Sequence, residues 1–162
     1  MANFVFGVAL GRVGEYVNRV LNNDPANSIL LAIPMSQSGT AEQGEALTDF
    51  AAVEADANFA EQTAASWGRK TISDSAGGLT WTFDATNNKR AADMTDLVWT
   101  APVASNNTTG LIIAYDPDST TGTDSTVIPL VHLDMAVTAD GNQVTFQFNN
   151  TGTAGWYTAL RT

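Results

Sequence analysis

Apolar and polar positions change their period along this chain, and the changes predict its elements. Near the start, Val13, Tyr16, Val17, Val20 and Leu21 recur at helical spacing, with Arg12, Glu15, Asn18, Arg19 and Asn22 opposite them. That spacing predicts an amphipathic helix of about four turns. Glu15 and Arg19 form an i,i+4 pair on its polar face, and Gly11 and Gly14 weaken its first turns. Pro25 biases Asp24 away from helical dihedrals and ends it. Before the helix, Phe4 and Phe6 alternate with Val5, predicting a short strand or an N-terminal arm over residues 1–8. The apolar run SILLAIPM at 28–35 predicts a buried strand whose end, at Pro34, leaves the ladder or lies at an edge.

Residues 36–67 read as a helical insert. A loop over 36–39 leads to Thr40, which stands three residues before Gln43 as in a capping box. Leu47, Phe50, Phe59 and Trp67 are its apolar anchors, and a break is expected near 54–57. After Gly68 the period becomes two. Leu79, Trp81 and Phe83 alternate with Thr80, Thr82 and Asp84, the pattern of a half-buried strand. Residues 87–93 are expected as a polar loop and 97–103 as a strand anchored by Trp99. Residues 111–115 are apolar on both faces, which suits a central strand. Residues 127–137 follow as one strand, or as two kinked near Pro129. Asp140-Gly141 suggests a hairpin turn into the alternating Val144, Phe146 and Phe148. A loop at 150–155 then precedes a last strand, 156–160, that would close the sheet. The expected fold class is α+β: an antiparallel β-sandwich or open barrel with an N-terminal helix and a short helical insert, in one domain spanning 1–162.

Composition narrows the function classes. Seven Lys+Arg face seventeen Asp+Glu, a formal net charge of −10. Such a surface repels phosphate backbones and anionic bilayers, so neither nucleic acid nor membrane is an expected partner. No cysteine is present, which excludes disulfides and thiol chemistry. The opening apolar run has no basic residue before it, so it is not expected to be a secretory signal. No apolar run reaches membrane-spanning length.

Candidate chemistry is sparse. The acidic, Thr-rich stretch DPDSTTGTDST at 116–126 carries Asp116, Asp118 and Asp124, hard oxygen ligands that could hold calcium. It lacks a bidentate Glu at EF-hand spacing, and Asp116-Pro117 is also an ordinary turn start. A solvated loop, or a loop at a subunit contact, is the competing reading. His132 is the single histidine. It cannot build a multi-His metal site, and with apolar neighbours in a strand it reads as a hydrogen-bonded, partly buried imidazole. No G-x-S-x-G elbow occurs. Trp67, Trp81, Trp99 and Trp156 could stack on sugars, but single aromatics at strand positions more often anchor cores. No catalytic residue, cofactor or resident metal is expected.

Four segments carry a resemblance: MANFVFGVALGRVGEYVNRVLNNDPANSILL, WGRKTISD, LVWTAPV, and LIIAYDPDSTTGTDSTVIPLVHLDMAVTADGNQVTFQFN. In these segments and in their order, the chain resembles small virion structural proteins of tailed bacteriophages. The resemblance implies a non-enzymatic component of the head or head–tail module, with a capsid decoration (cement) protein as the favoured form. It would work on the outer face of the capsid, with the major capsid protein and further copies of itself as partners, as a homotrimer. Phe4, Val5 and Phe6 of the arm and Asp116 and Asp118 of the acidic loop are the interface candidates. A tail, collar or connector component and a carbohydrate- or receptor-binding module are the alternatives.

Overall fold

The computed structural model describes residues 2–73, 78–148 and 156–160. Its centre is a six-stranded antiparallel sheet. The two longest strands, β2 (Ile29–Gln37) and β8 (Gly110–Asp116), pair over seven residue positions from Ile29↔Asp116 to Met35↔Gly110. Strand β9 (Ile128–Leu133) pairs with the far side of β8, and β1 (Phe4–Val5) adds to β9. On the outer side of β2, β4 (Lys70–Ile72) pairs with Leu30 to Ala32 and β3 (Ala60–Glu61) with Met35 and Gln37. The central position expected for 111–115 is therefore found.

Pro34 is not at an edge. It lies inside β2, opposite Leu111, at the gap between the β4 and β3 ladders. A residue there donates no ladder bond on the outer side, so the missing N–H is tolerated, and its carbonyl still accepts from Gln62 N at 2.9 Å. Pro129 is accommodated by a bulge: Ile113 pairs with Val131 and Ala114 with Pro129, leaving Leu130 as the extra residue. One strand with an irregularity replaces the longer segment expected over 127–137.

The sheet is apolar on both faces, and each face builds a core. Leu30, Ala32, Leu111, Ile113, Tyr115, Val131 and Leu133 face one cluster. Onto it packs helix α1 (Val13–Leu21), which buries Val13, Tyr16, Val17 and Val20. The helix has nine residues, shorter than the expected four turns. Gly7–Ala9 forms a separate 3-10 turn and Gly11 takes φ +73°, so the helical run cannot begin earlier. Its polar face carries Glu15 between Arg12 and Arg19, at 3.2 and 3.0 Å.

The opposite face, through Ile33, Met35, Ile112 and Ala114, packs on Phe6, Leu47, Phe50, Val53 and Phe59. Most of these come from the insert at 36–67. It holds α2 (Ala41–Gly44), α3 (Phe50–Ala55), β3, and a 3-10 turn at Ala65–Trp67. Thr40 and Gln43 form the expected capping box. The break near 54–57 is also present, since α3 ends at Ala55. Ser36 and Gln37, expected in a loop, extend β2.

Two smaller sheets complete the described residues. Strands β5 (Thr80–Asp84), β6 (Lys89–Asp93) and β11 (Tyr157–Leu160) form one, in the order β11-β6-β5. Residues 87–93 are thus largely strand rather than loop. Pairing on both sides of β6, with Ala91 and Ala92 buried, overrides a sequence of poor β propensity. Strand β11 joins this small sheet instead of closing the large one. Strands β7 (Leu97–Trp99) and β10 (Val144–Phe146) form the other. The Asp140-Gly141 hairpin is therefore not formed: β10 pairs with β7, not with β9. Trp99 and Phe146 meet edge to face at 5.3 Å and supply the packing that draws these strands together. The loop expected at 150–155 lies outside the described residues. Among the described residues no sheet closes on itself, and the chain is an antiparallel, sheet-dominated α+β fold.

Gly110 tests how tightly β8 and β9 are joined at this point. An added Cβ would overlap His132 Nε2 and come within 2.7 Å of the Leu133 carbonyl oxygen, a backbone atom. Gly110→Ala is expected to cost about 1–3 kcal/mol, the usual penalty for overpacking, in urea unfolding followed by tryptophan fluorescence. Unchanged stability would mean that the β8–β9 register yields locally.

Candidate functional site

The acidic loop at 116–126 bridges β8 and β9, so the centre of the main sheet positions it. Its internal bonding follows from its composition. Asp116 Oδ1 accepts from Asp118 N at 3.0 Å. Asp118 Oδ1 accepts from the backbone and hydroxyl of Thr120 at 3.0 and 2.6 Å, and its Oδ2 from the Thr121 hydroxyl at 2.6 Å. These donors, the Thr120 hydroxyl foremost, hold the Asp118 carboxyl below its ordinary range. Gly122 is required where the loop doubles back, because an added Cβ would stand 2.6 Å from Asp116 Oδ1 and 2.7 Å from the Asp118 carbonyl oxygen.

Asp124 is turned to a different task. It pairs with Arg69, whose Nη2 lies 3.2 Å from Asp124 Oδ2. The same guanidinium grips Glu61 of β3 through two bonds, Nε at 2.9 Å and Nη2 at 2.6 Å, and reaches Glu54 of α3 at 3.5 Å. It also lies over the Phe50 ring, 4.8 Å from the centroid. The side chains of Arg69 and Glu61 are 27% and 12% exposed, so the pair is screened from solvent. Hydrogen bonding to Glu61 raises the Arg69 pKa further above its ordinary value. Burial, then Asp124, pushes the Glu54 carboxyl up. Backbone bonds complete the joint: Phe50 N donates to Val127 O at 2.8 Å and Ala51 N to Asp124 O at 3.0 Å.

The three aspartates named from sequence are therefore not brought together. Asp116 is 7% exposed, Asp118 spends its oxygens on the loop's own donors, and Asp124 belongs to the arginine cluster. Among the described residues no three acidic or histidine side chains gather as a metal-binding group. Asp116 is buried and Asp118 half-buried, whereas residues 119–123 at the loop tip are exposed. Of the two readings of the N-terminal segment, strand or arm, the strand forms within this chain. Phe6 is fully buried in the chain's own core, and Phe4 and Val5 are half-buried in the β1–β9 ladder. Two residues suffice for pairing because Phe6 N also donates to Leu130 O at 3.0 Å and Asn3 Oδ1 accepts from Asp134 N at 2.7 Å.

His132 is fully buried rather than partly so, and neither ring nitrogen has a hydrogen-bond partner among the described residues. Trp67 and Trp99 are core residues, and their indole N–H groups donate to Asn106 O and Gly68 O at 2.6 and 2.8 Å. Trp156 is 9% exposed, and Trp81 packs beside Gly14 and Tyr157. Among the described residues, the exposed large apolar side chains are Leu10, Phe83, Val98 and Val103; of these, Phe83 was placed by alternation with Leu79 and Trp81, yet it is 46% exposed. The arginine cluster was missed. Its signal was scarcity: with seventeen acids and seven Lys+Arg, a partly buried cation such as Arg69 can gather several carboxylates. No helix among the described residues is long and apolar enough to cross a membrane.

An α+β protein built on antiparallel sheets, with an internally hydrogen-bonded acidic loop joining β8 and β9, is the class these features define. No family model, curated protein or solved structure matches the chain.

Proposed function

We propose that this protein is a non-enzymatic structural component of a bacteriophage particle: a decoration protein that binds the outer surface of the head and stabilises it. It acts as a homo-oligomer, a trimer, against the major capsid protein, with its sheets packed as a sandwich. The observation that carries the reading is the acidic loop. It is folded on its own hydrogen bonds and fastened by Arg69, so it offers a partner a surface whose ordering cost is already met. The segments that carry the phage resemblance supply β1, α1, the start of β2, nearly all of β8 and all of β9, much of the framework that holds this loop. A net charge of −10 suits a shell exterior, away from packaged DNA. Exposed Val98 and Val103 add apolar contact area.

The deciding measurement is the number of copies per purified virion, by quantitative densitometry against the major capsid protein. Hundreds of copies in a simple ratio to the shell subunit are expected, because icosahedral symmetry multiplies each local site. About three to twelve copies would place the chain at the portal–tail axis instead. Absence from the particle would overturn the virion assignment altogether.

A further inference from the structure

His132 has no evident work in the fold beyond filling space, and a leucine or phenylalanine would do that without burying two polar nitrogens. An imidazole without partners in a closed core is stable there only while neutral. Phe4 stacks on it, with ring centroids 4.9 Å apart and planes 16° apart. Phe4 is also its ladder partner. What separates His132 from water is thus largely β1, a strand of two residues at the edge of the main sheet. Beside it lies a recess of about 190 Å³ lined by Ala2, Asn3, Phe4, Thr40 and Ala41.

We propose that β1 is an acid-released strand: protonation of His132 detaches Phe4–Val5 from β9 while the rest of the main sheet stays closed. Loss of β1 hydrates the imidazolium at the cost of a two-residue ladder, the flanking Phe6 N–Leu130 O and Asp134 N–Asn3 Oδ1 bonds, and the ring contacts of Phe4 with His132 and Phe6. Opening at any other side would require breaking the β8–β9 pairing or the core. The charged groups acting on the ring are few. Asp134, just past the end of β9, favours the imidazolium, while the amino-terminal charge opposes it. The Ala2 backbone lies close enough to favour the charged form, without hydrogen-bonding geometry. Phe4 of β1 and Gly110 and Ile112 of β8 bring no charge, and Glu42 of α2 is exposed. Burial outweighs the favourable contributions and pushes the imidazole below its ordinary value.

The sign follows. The closed form binds fewer protons than the open form, so closure is fully favoured above the ordinary histidine value and weakens as pH falls through it. With an open-state value of about 6.5, the open population rises by up to about 30-fold between about pH 7.5 and about pH 5. The freed edge of β9 would then be available to another strand.

The test is amide hydrogen exchange across that range, corrected for intrinsic rate, with NMR of the imidazole, which is unambiguous in a chain with one histidine. Protection of residues 4–6 is expected to fall 10- to 30-fold toward pH 5, with the β2–β8 amides unchanged. His132→Gln is expected to abolish the pH dependence at residues 4–6. Three results would each overturn the proposal: titration of the ring at its ordinary value with residues 4–6 still protected, a uniform loss of protection across β2 and β8, or the same acid sensitivity in His132→Gln. The wild-type comparison of the two regions decides the matter even if the variant fails to fold.

Discussion

Trp67→Ala is expected to lose about 3–5 kcal/mol of folding stability, the range for truncating a buried aromatic. Trp67 has no exposed surface, and it stands where the main sheet meets the β7–β10 pair. Its ring lies 5.6 Å from Trp99 and 6.3 Å from Phe146. Its indole N–H holds the Asn106 carbonyl, 39 residues away in sequence. Alanine would leave a cavity between two sheets and an unpaired carbonyl, and these penalties add. Trp67→Phe keeps most of the ring and loses the donor, so about 1–2 kcal/mol is expected. Chemical denaturation measures both. A loss under about 1 kcal/mol for the alanine variant would mean that the small sheet is not joined to the large one through this cluster.

Arg69→Met is expected to cost about 2–4 kcal/mol near neutral pH, because breaking a partly buried ion pair leaves uncompensated charge behind. Glu61, Asp124 and Glu54 would face one another without the cation that links β3, α3 and the acidic loop. The loss should be smaller than for a fully buried network, since Asp124 and Glu54 are 31% and 40% exposed. The double variant Arg69→Met with Asp124→Asn should recover part of the loss, which a role limited to stacking on Phe50 would not allow. A pH dependence follows from Glu54, whose carboxyl is raised by burial and by Asp124. A raised carboxyl binds its proton more readily folded than unfolded. Its contribution is therefore present below the unfolded value and lost as pH rises through the folded one. The destabilisation by Arg69→Met should shrink accordingly as pH falls into the carboxylate range. A deficit independent of pH would indicate that packing, not charge, is what Arg69 supplies.

If the chain decorates a capsid, this joint is also where function would fail first. Loosening Asp124 frees one end of the loop whose other end, Asp116, remains fixed in β8. The loop would then have to be ordered on binding, which lowers affinity without changing any contact. Copies per virion should fall for Arg69→Met even where the variant remains folded.

Local signals recovered a good part of the fold. The helix at Val13–Leu21, the capping box at Thr40, the break after α3 and the strands at β2, β5 and β8 were all legible, since each depends on side-chain period or on neighbours within four residues. The candidate site was less so. Asp116, Asp118 and Asp124 look equivalent in sequence, yet one is buried, one is absorbed by Thr120 and Thr121, and one is bound to Arg69 across 55 residues. Nothing within the loop predicts that division.

The chain alone determined that two faces of the main sheet would be apolar, that the surface would be acidic and that thiol chemistry would be absent. Only the tertiary structure decided which strands pair. Lys89–Asp93 becomes a strand because β5 and β11 offer it partners, and Val144–Phe146 leaves its expected hairpin because Trp99 gives it a better neighbour than any nearby residue does. The N-terminal segment folds back on β9, and His132 loses its water, for the same reason. Period and propensity are properties of a few adjacent residues, whereas pairing energy and burial are set by surfaces that come together only once the whole chain has closed.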